Sequence, residues 1–530
     1  MGGDQAKPSG PDLTAGIALT ELADGKPIVG QAGEDTVLVV RQGDEIFALG
    51  ASCSHYGGPL AEGAFDAQGV RCPWHHACFD LRTGEALRAP ALNPLPCYDV
   101  IRSGDRVKIG ARKAPRPAPV AVASPAVLIV GTGAAGHAAA EMLRREGHQG
   151  TIVMAGTDAD APYDRPNLSK DYLAGNAPEE WIPLRPREFY DEHKIDLRTG
   201  TRVTAIDARK RVATLADGKT VTWEALLLAT GAEPVPLTVP GADRPHVHTL
   251  RSLADSRAII LRAGGAGGAL LRAGDAKRAV VVGASFIALE AAAALRARKM
   301  DVAVVAPDET PLARVLGPEV GKFLRGVHEE HGVVFHLGQQ VQSIGDTDVV
   351  LANGTRLEAD LVVVGIGVRP LTALAESAGV ALDRGIKVDA HLATSVPGIY
   401  AAGDVARFPD PVSGEAVRIE HWVVAQRMGQ TAARNILGQR QSFTAAPFFW
   451  SVHYDLQINY VGHAERWDRV DIHGRLGDRD CTIAYRVAPD TDREQTLAVA
   501  TIGRDKVSLA AETAFEQHDR AALRTFGRTR

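Results

Sequence analysis

One pattern occurs twice in this chain: a valine-rich run, a glycine loop and an alanine-rich stretch, beginning once at Ala126 and again at Ala279. A buried strand that turns on glycines straight into a helix opens a doubly wound α/β fold. Two such units predict two nucleotide-binding domains. In the first, Ala126–Val130 leads into Gly131-Thr132-Gly133-Ala134-Ala135-Gly136 and a helix through about Arg145. The G-x-G-x-x-G spacing lets the backbone turn, approach a pyrophosphate and aim the helix N-terminus at it. Asp158, just past the next strand, stands where an acid would take a ribose hydroxyl; a solvated loop carboxylate is the plainer reading. In the second unit the loop reads Gly283-Ala284-Ser285-Phe286-Ile287-Ala288-Leu289-Glu290. Ser285 replaces the second glycine and Ala288 the third. Ala288 suits a helix–strand contact, whereas Ser285 withdraws the close backbone approach and offers a phosphate its hydroxyl instead.

At about 150 residues per domain, 530 residues suggest three to four domains. Against 59 basic residues stand 64 acidic ones, a net charge of −5. With no long basic run, this balance argues against nucleic acid as a partner. The longest apolar stretch, Val120–Leu143, is broken by Pro125, Gly131, Gly133, Gly136 and His137, so no membrane span is expected. No charged start followed by an apolar run opens the sequence, which leads to a cytoplasmic placement. Ala111–Pro125 reads ARKAPRPAPVAVASP, a linker whose prolines forbid regular structure. Ahead of it the chain looks all-β, with strands at Thr36–Arg41 and Glu45–Leu49. The Gly- and Ala-rich run from Arg262 to Lys277 reads as a flexible surface insertion.

Five cysteines are too few for a disulfide scaffold. Two of them fall in a local pattern, Cys53-Ser54-His55 and Cys72-Pro73-Trp74-His75. One thiolate and one imidazole per loop are what a [2Fe–2S] centre with Cys on one iron and His on the other requires; a structural zinc takes the same donors. The segments CSHYGGPLAEG and CPWHHACFDLRTGE resemble the two cluster-binding loops of Rieske ferredoxins, over the whole first domain. The resemblance implies that Cys53, His55, Cys72 and His75 hold the cluster. His76 stands where that family usually has Gly, which leaves a slip from His75 to His76 open. Gly58 and Trp74 occupy the positions at which respiratory Rieske proteins carry an extra disulfide, so the chain is similar to the soluble branch. Cys78, Cys97 and Cys481 read as small buried hydrophobes. The D-x-x-H-x-x-x-x-H pattern for the mononuclear iron of Rieske oxygenases is absent, and His246 and His248 do not supply it. Hydroxylation by this chain alone is therefore not expected.

Further motifs decide which dinucleotides are expected. LLLATG at Leu226–Gly231, GIYAAGDV at Gly398–Val405, Pro162-Tyr163-Asp164-Arg165-Pro166 and Leu168-Ser169-Lys170 resemble flavin-dependent ferredoxin reductases and apoptosis-inducing-factor-like oxidoreductases. With the Rieske loops ahead of them, the whole resembles the Rieske-fused type. The resemblance implies an α/β flavoprotein with two dinucleotide-binding domains, of the glutathione-reductase-like kind. An all-β Rieske domain precedes it and a small α+β domain ends it. The expected boundaries are 1–112 for the Rieske domain, 113–125 for the linker, 126–250 with 376–445 for a split FAD domain, 251–375 for the NAD(P)H domain and 446–530 for the last. FAD would lie against Gly131, Gly133, Ala135, Gly136, Asp158, Arg165, Lys170, Thr230, Gly231, Asp404 and Glu420. Trp422 and Trp450 would close over the flavin or stand as core aromatics. NAD(P)H would take Gly283, Ser285, Ala288 and Gly367. Lys170 and Glu290 would pair beside the flavin as the catalytic couple. The strand end at Ala306-Pro307 carries no Arg for a 2′-phosphate, which favours NADH over NADPH. No C-x-x-C pair lies in the flavin region, which separates the chain from disulfide reductases.

These features imply an enzyme that passes electrons from NAD(P)H through FAD to the Rieske cluster, and on to a ferredoxin, cytochrome or oxygenase component. A redox-sensing effector whose association is set by NADH is the alternative. Monomer and homodimer stay open.

Overall fold

The computed structural model describes residues 10–114, 120–122, 124–264 and 277–528. Residues 115–119 and 123 of the expected linker, and 265–276 of the expected insertion, lie outside the described residues. The chain forms two compact units, one of Met1–Val120 with Arg504–Leu523, the other of Ala121–Gly503 with Arg524–Arg530.

The larger unit is built on two parallel five-stranded sheets of matching order. In the first, Val127–Val130 sits at the centre. Ile152–Ala155 and then Ile195–Arg198 lie on one side, Ala225–Leu228 and then Ile399–Ala401 on the other. In the second, Arg278–Val282 is central. Asp301–Ala306 and Val333–Leu337 flank it on one side, Leu361–Val364 and Val247–Thr249 on the other. The central strands are apolar because helices cover both faces of a parallel sheet. Each central strand passes through its glycine loop into a helix, Ala134–Arg145 and Phe286–Ala297. Small residues let those helices come close. A side chain at Gly429, in the helix Trp422–Ile436, would meet the Ala135 carbonyl at 2.1 Å. The outermost strand of the first sheet comes late in the chain and that of the second comes early. The second sheet is thus inserted into the first. An antiparallel five-stranded sheet completes the unit, in the order Phe448–His453, Leu456–Gly462, Gln495–Ile502, Asp480–Val487, Arg469–Arg475.

The smaller unit is antiparallel throughout its three sheets. The hairpin Asp35–Gln42 and Glu45–Gly50 turns at Gly43, whose φ is +60°. The helix Asp505–Glu516, expected to belong with the last sheet in one terminal domain, groups instead with this unit. The reason is electrostatic as well as apolar. Arg71, only 2% exposed, is met by Glu512 at 3.0 Å, Glu516 at 2.9 Å and Asp66 at 3.0 Å. A buried guanidinium stripped of such partners costs several kcal/mol, so the helix is needed where Arg71 is. Among the described residues no helix is long and apolar enough to cross a membrane.

Candidate functional site

The two cysteine–histidine loops share one backbone design. In the first, Cys53 N–H donates to Gly58 O at 2.8 Å and Gly57 N–H to Cys53 O at 2.9 Å. In the second, Cys72 N–H donates to Ala77 O at 2.8 Å and His76 N–H to Cys72 O at 3.2 Å. Gly57 and His76 are therefore equivalent, and both have positive φ, 78° and 59°. A histidine bears the left-handed strain that glycine avoids. Its ring is held in return, Nδ1 3.2 Å from Glu512 and Nε2 3.3 Å from Ser508. His75 turns the other way, and its Nδ1 lies 3.2 Å from His55 Nδ1.

The cysteines form a second pair. Both are buried, and a hydrogen bond between their sulfurs pushes the Cys53 thiol up and holds Cys72 below its usual value. Backbone N–H groups of Trp74 and His75 also point at the Cys72 sulfur. Burial pushes His55 down to about 3, so its imidazole is neutral and able to ligate. A side chain at Gly58 would stand 2.8 Å from the Cys72 sulfur. Among the described residues no three Cys, His, Asp or Glu side chains converge on one point as a single ion asks. A sulfur pair and an imidazole pair are instead the donors of a two-iron cluster, and the site fits that group.

The first glycine loop is an open cradle. Gly131 has φ +112°, and a side chain there would strike Ala229 O at 2.1 Å; one at Gly136 would strike Gly131 O at 1.9 Å. At Gly133 nothing stands nearer than the Arg165 guanidinium, 3.7 Å away. Gly133 is also the N-cap of its helix and supplies no side-chain cap, so N–H groups are left for a ligand. Arg165 Nε is buried with no partner among the described residues. Arg251 lies against Gly231 and pairs with Asp404 at 2.7 Å. Burial, then the charge of Arg165, pulls Arg251 below its usual value. Two cations flank the glycines and one carboxylate answers them, which suits a dinucleotide pyrophosphate.

The other expected contacts fall as follows. Thr230 donates its hydroxyl to Leu371 O at 2.8 Å. Asp158 takes a short hydrogen bond from the Tyr163 hydroxyl and accepts the Gly200 N–H at its carbonyl. Glu420 is exposed and pairs with Arg418 at 2.6 Å. Trp422 opens its helix and packs half-buried on the core of the first sheet, while Trp450 has the Lys170 ammonium 5.9 Å from its ring.

The second loop closes itself. Gly283 has φ +106°, and a side chain there would meet Gly365 O at 2.4 Å. The Ser285 hydroxyl, expected to serve a phosphate, donates to Gly365 O at 3.0 Å and accepts the Ala288 N–H at 3.3 Å. It is the N-cap of the helix. Ala288 is buried against Gly365. Gly367, at φ +112°, faces open space.

Between the two halves stands the ion pair. Lys170 Nζ lies 2.8 Å from Glu290 Oε2. Glu290 is 3% exposed and also accepts the hydroxyls of Ser169 at 2.5 Å and Ser451 at 2.6 Å. Sequence reasoning passed over Arg251 and His421. The latter is half-buried beside Phe449, its Nδ1 buried without a partner among the described residues, and desolvation pushes it down to about 3. His421 stands between two expected contacts, Glu420 and Trp422; nothing local singles out Arg251.

Two glycine loops on matching parallel sheets, joined by one chain to a Cys2His2 pair of loops, define a Rieske-fused nucleotide-dependent oxidoreductase. The family described as pyridine nucleotide-disulphide oxidoreductase matches residues 125–429, and the Rieske [2Fe-2S] domain matches residues 15–99. The chain belongs to this pyridine nucleotide oxidoreductase family, in its ferredoxin-reductase-like form with a Rieske domain ahead. It is 35% identical to apoptosis-inducing factor 3 of Mus musculus, over 92% of this chain and 81% of that one. It is 37% identical to rhodocoxin reductase of Rhodococcus erythropolis, over 63% of this chain and 78% of the other. A solved chain from a covalent putidaredoxin reductase–putidaredoxin complex aligns with a TM-score of 0.69 at 35% identity. That alignment covers 75% of this chain and 94% of that one. The protein is thus an FAD-dependent NAD(P)H oxidoreductase with a [2Fe–2S] domain. Despite the family's name it carries no cysteine pair beside the flavin: four cysteines lie in the smaller unit and Cys481 in the larger, and none of the five forms a disulfide.

Proposed function

We propose that the chain takes a hydride from NADH at the junction of Lys170 and Glu290 and delivers the electrons singly, through the cluster, to a protein acceptor of the ferredoxin, cytochrome or oxygenase-component class. The observation that carries this is the Lys170–Glu290 pair, since Lys170 follows the first nucleotide motif and Glu290 lies on the helix of the second. When bound, FAD converts a two-electron hydride into single electrons. Arg165 and Arg251 would hold its pyrophosphate over Gly131 and Gly133, and Asp404 keeps Arg251 in place. Lys170 sets a positive charge where negative charge develops, and Glu290 fixes that ammonium. Cys53, Cys72, His55 and His75 would hold the cluster, while His76 is tied to Glu512 and Ser508. The preference for NADH rests on the end of the strand Asp301–Ala306, where Ala306-Pro307 carries no Arg for a 2′-phosphate.

The test is the anaerobic visible and EPR spectrum of the purified protein with NADH and, separately, with NADPH. Flavin bleaching with a rhombic reduced-cluster signal is expected, faster with NADH. Bleaching without that signal would sink the relay. Cys72→Ser should remove the signal and leave bleaching intact.

A further inference from the structure

We infer that Glu290, Ser451, His453, His328 and Tyr454 form a proton path between the Lys170–Glu290 pair and solvent. The inference rests on the hydride chemistry proposed above. Five side chains from three segments stand in one file. Ser451 Oγ lies 2.6 Å from Glu290 Oε1 and 3.1 Å from His453 Nε2. His453 Nδ1 lies 3.1 Å from His328 Nε2, and His328 Nδ1 lies 3.4 Å from the Tyr454 hydroxyl. Glu290, Ser451, His453 and His328 are each at most 3% exposed. Tyr454 is half-buried, and its ring stacks on exposed His331 with centroids 3.6 Å apart.

The carboxylate fixes every proton in the file. Glu290 only accepts, so the Ser451 hydroxyl donates to it. Ser451 Oγ then accepts from His453 Nε2–H, His453 Nδ1 accepts from His328 Nε2–H, and His328 Nδ1 accepts from Tyr454 O–H. One hydrogen lies in each gap and all point toward Glu290. Desolvation pushes both imidazoles down to about 3, so both are neutral at pH 7, which this single-file arrangement requires. A site that needed only packing would be filled by apolar side chains, because a buried polar row is costly unless every member is bonded. The row also has its outer end fixed by backbone geometry. Tyr454 sits at φ +60° in the turn after the strand Phe448–His453, a conformation seldom taken by a bulky residue.

The chemistry supplies a proton to move. A hydride carries two electrons and one proton, and a one-electron acceptor takes electrons alone. Each NADH therefore ends as NAD+, two electrons delivered and one proton that must leave a buried site. Export starts with the file turned outward: the two hydroxyls and both imidazoles rotate about their own bonds so that every hydrogen points away from Glu290. The hydride's proton, held on Glu290 Oε1, then passes to the Ser451 oxygen while one leaves the Tyr454 oxygen for solvent, which returns every bond to its resting direction with one proton exported per NADH.

The test uses the flavin-loaded full chain in weak buffer with a pH-indicator dye. It is reduced by NADH and then mixed with ferricyanide. Proton appearance, taken relative to flavin reoxidation, is expected to slow at least tenfold in His453→Gln and in His328→Gln. The double variant should be no slower than either alone, because serial elements do not multiply. Tyr454→Phe, which keeps the ring and removes only the outer hydroxyl, should slow it about two- to threefold and decides the matter if the glutamine variants fail to fold. Unchanged proton appearance in the variants that fold, or effects that multiply in the double variant, overturns the path. Nitrogen NMR should show His328 and His453 as neutral Nε2–H tautomers at pH 7; an imidazolium or an Nδ1–H form overturns it too. Failure of NADH to bleach the parent's flavin would instead break the underlying hydride reading.

Discussion

The two glycine loops occupy equivalent places in two matching sheets, yet they solve different problems. Their first glycines are alike. Gly131 and Gly283 both have positive φ, and each would drive a side chain into the carbonyl that follows a neighbouring strand, Ala229 O at 2.1 Å and Gly365 O at 2.4 Å. That glycine is dictated by two backbones crossing. The next position differs. Gly133 leaves its helix uncapped, and uncapped N–H groups are an anion receptor. Ser285 spends its hydroxyl inside the protein, on Gly365 O and the Ala288 N–H. One loop stays open for a cofactor held throughout turnover. The other gives up part of its grip, which suits a nucleotide that must come and go.

The sharpest break of this comparison is Gly131→Ala. Strain plus a backbone collision at 2.1 Å should cost more than about 4 kcal/mol and yield protein without bound flavin, read from its visible spectrum. Asp164→Asn comes next, since Asp164 is a buried carboxyl in the flavin half. Burial pushes Asp164 up to about 7, and the charge of Lys170 offsets this only in part. Because the folded pKa lies above the unfolded value of 3.8, the carboxyl's stabilising share is complete below about pH 4 and is lost as pH rises through 7. Denaturation midpoints of the parent should therefore fall across that window, and those of the Asn variant should fall less. A slope identical in both would remove Asp164 from the account. Ser285→Ala deletes a helix cap and should cost about 1 kcal/mol in chemical denaturation. Ser285→Gly should cost only a few tenths and, by freeing N–H groups, lower the KM for NADH. A KM raised by Ser285→Gly would mean that the hydroxyl serves the nucleotide after all.

Much of this was legible in the sequence because it is local. Strand, glycine spacing and helix are fixed by neighbours within a dozen residues, and so are the paired cluster loops. The late return of GIYAAGDV signalled the insertion, and the outer strand Ile399–Ala401 now shows its mechanical sense. Long-range partners were not legible. Ser285 reads as a phosphate donor until Gly365, 80 residues on, claims its hydroxyl. His328 and His453 sit in unremarkable segments 125 residues apart, and neither carries a motif. His76 shows both sides: its departure from glycine was visible, but the carboxylate that holds it was not. Sequence proximity alone places the terminal helix with the last sheet, because its partner Arg71 lies 441 residues from Glu512.

That helix orders events in time. Arg71 is made early, and Glu512 follows 441 residues later. While the ribosome is still building the flavin region, the cluster-binding unit lacks the carboxylates of Glu512 and Glu516 that neutralise its buried guanidinium. His76 likewise lacks the group that holds its ring. The first unit to emerge is thus finished only after the strands of the larger one have been made, and a chain ending before Glu512 would leave Arg71 and His76 without these partners.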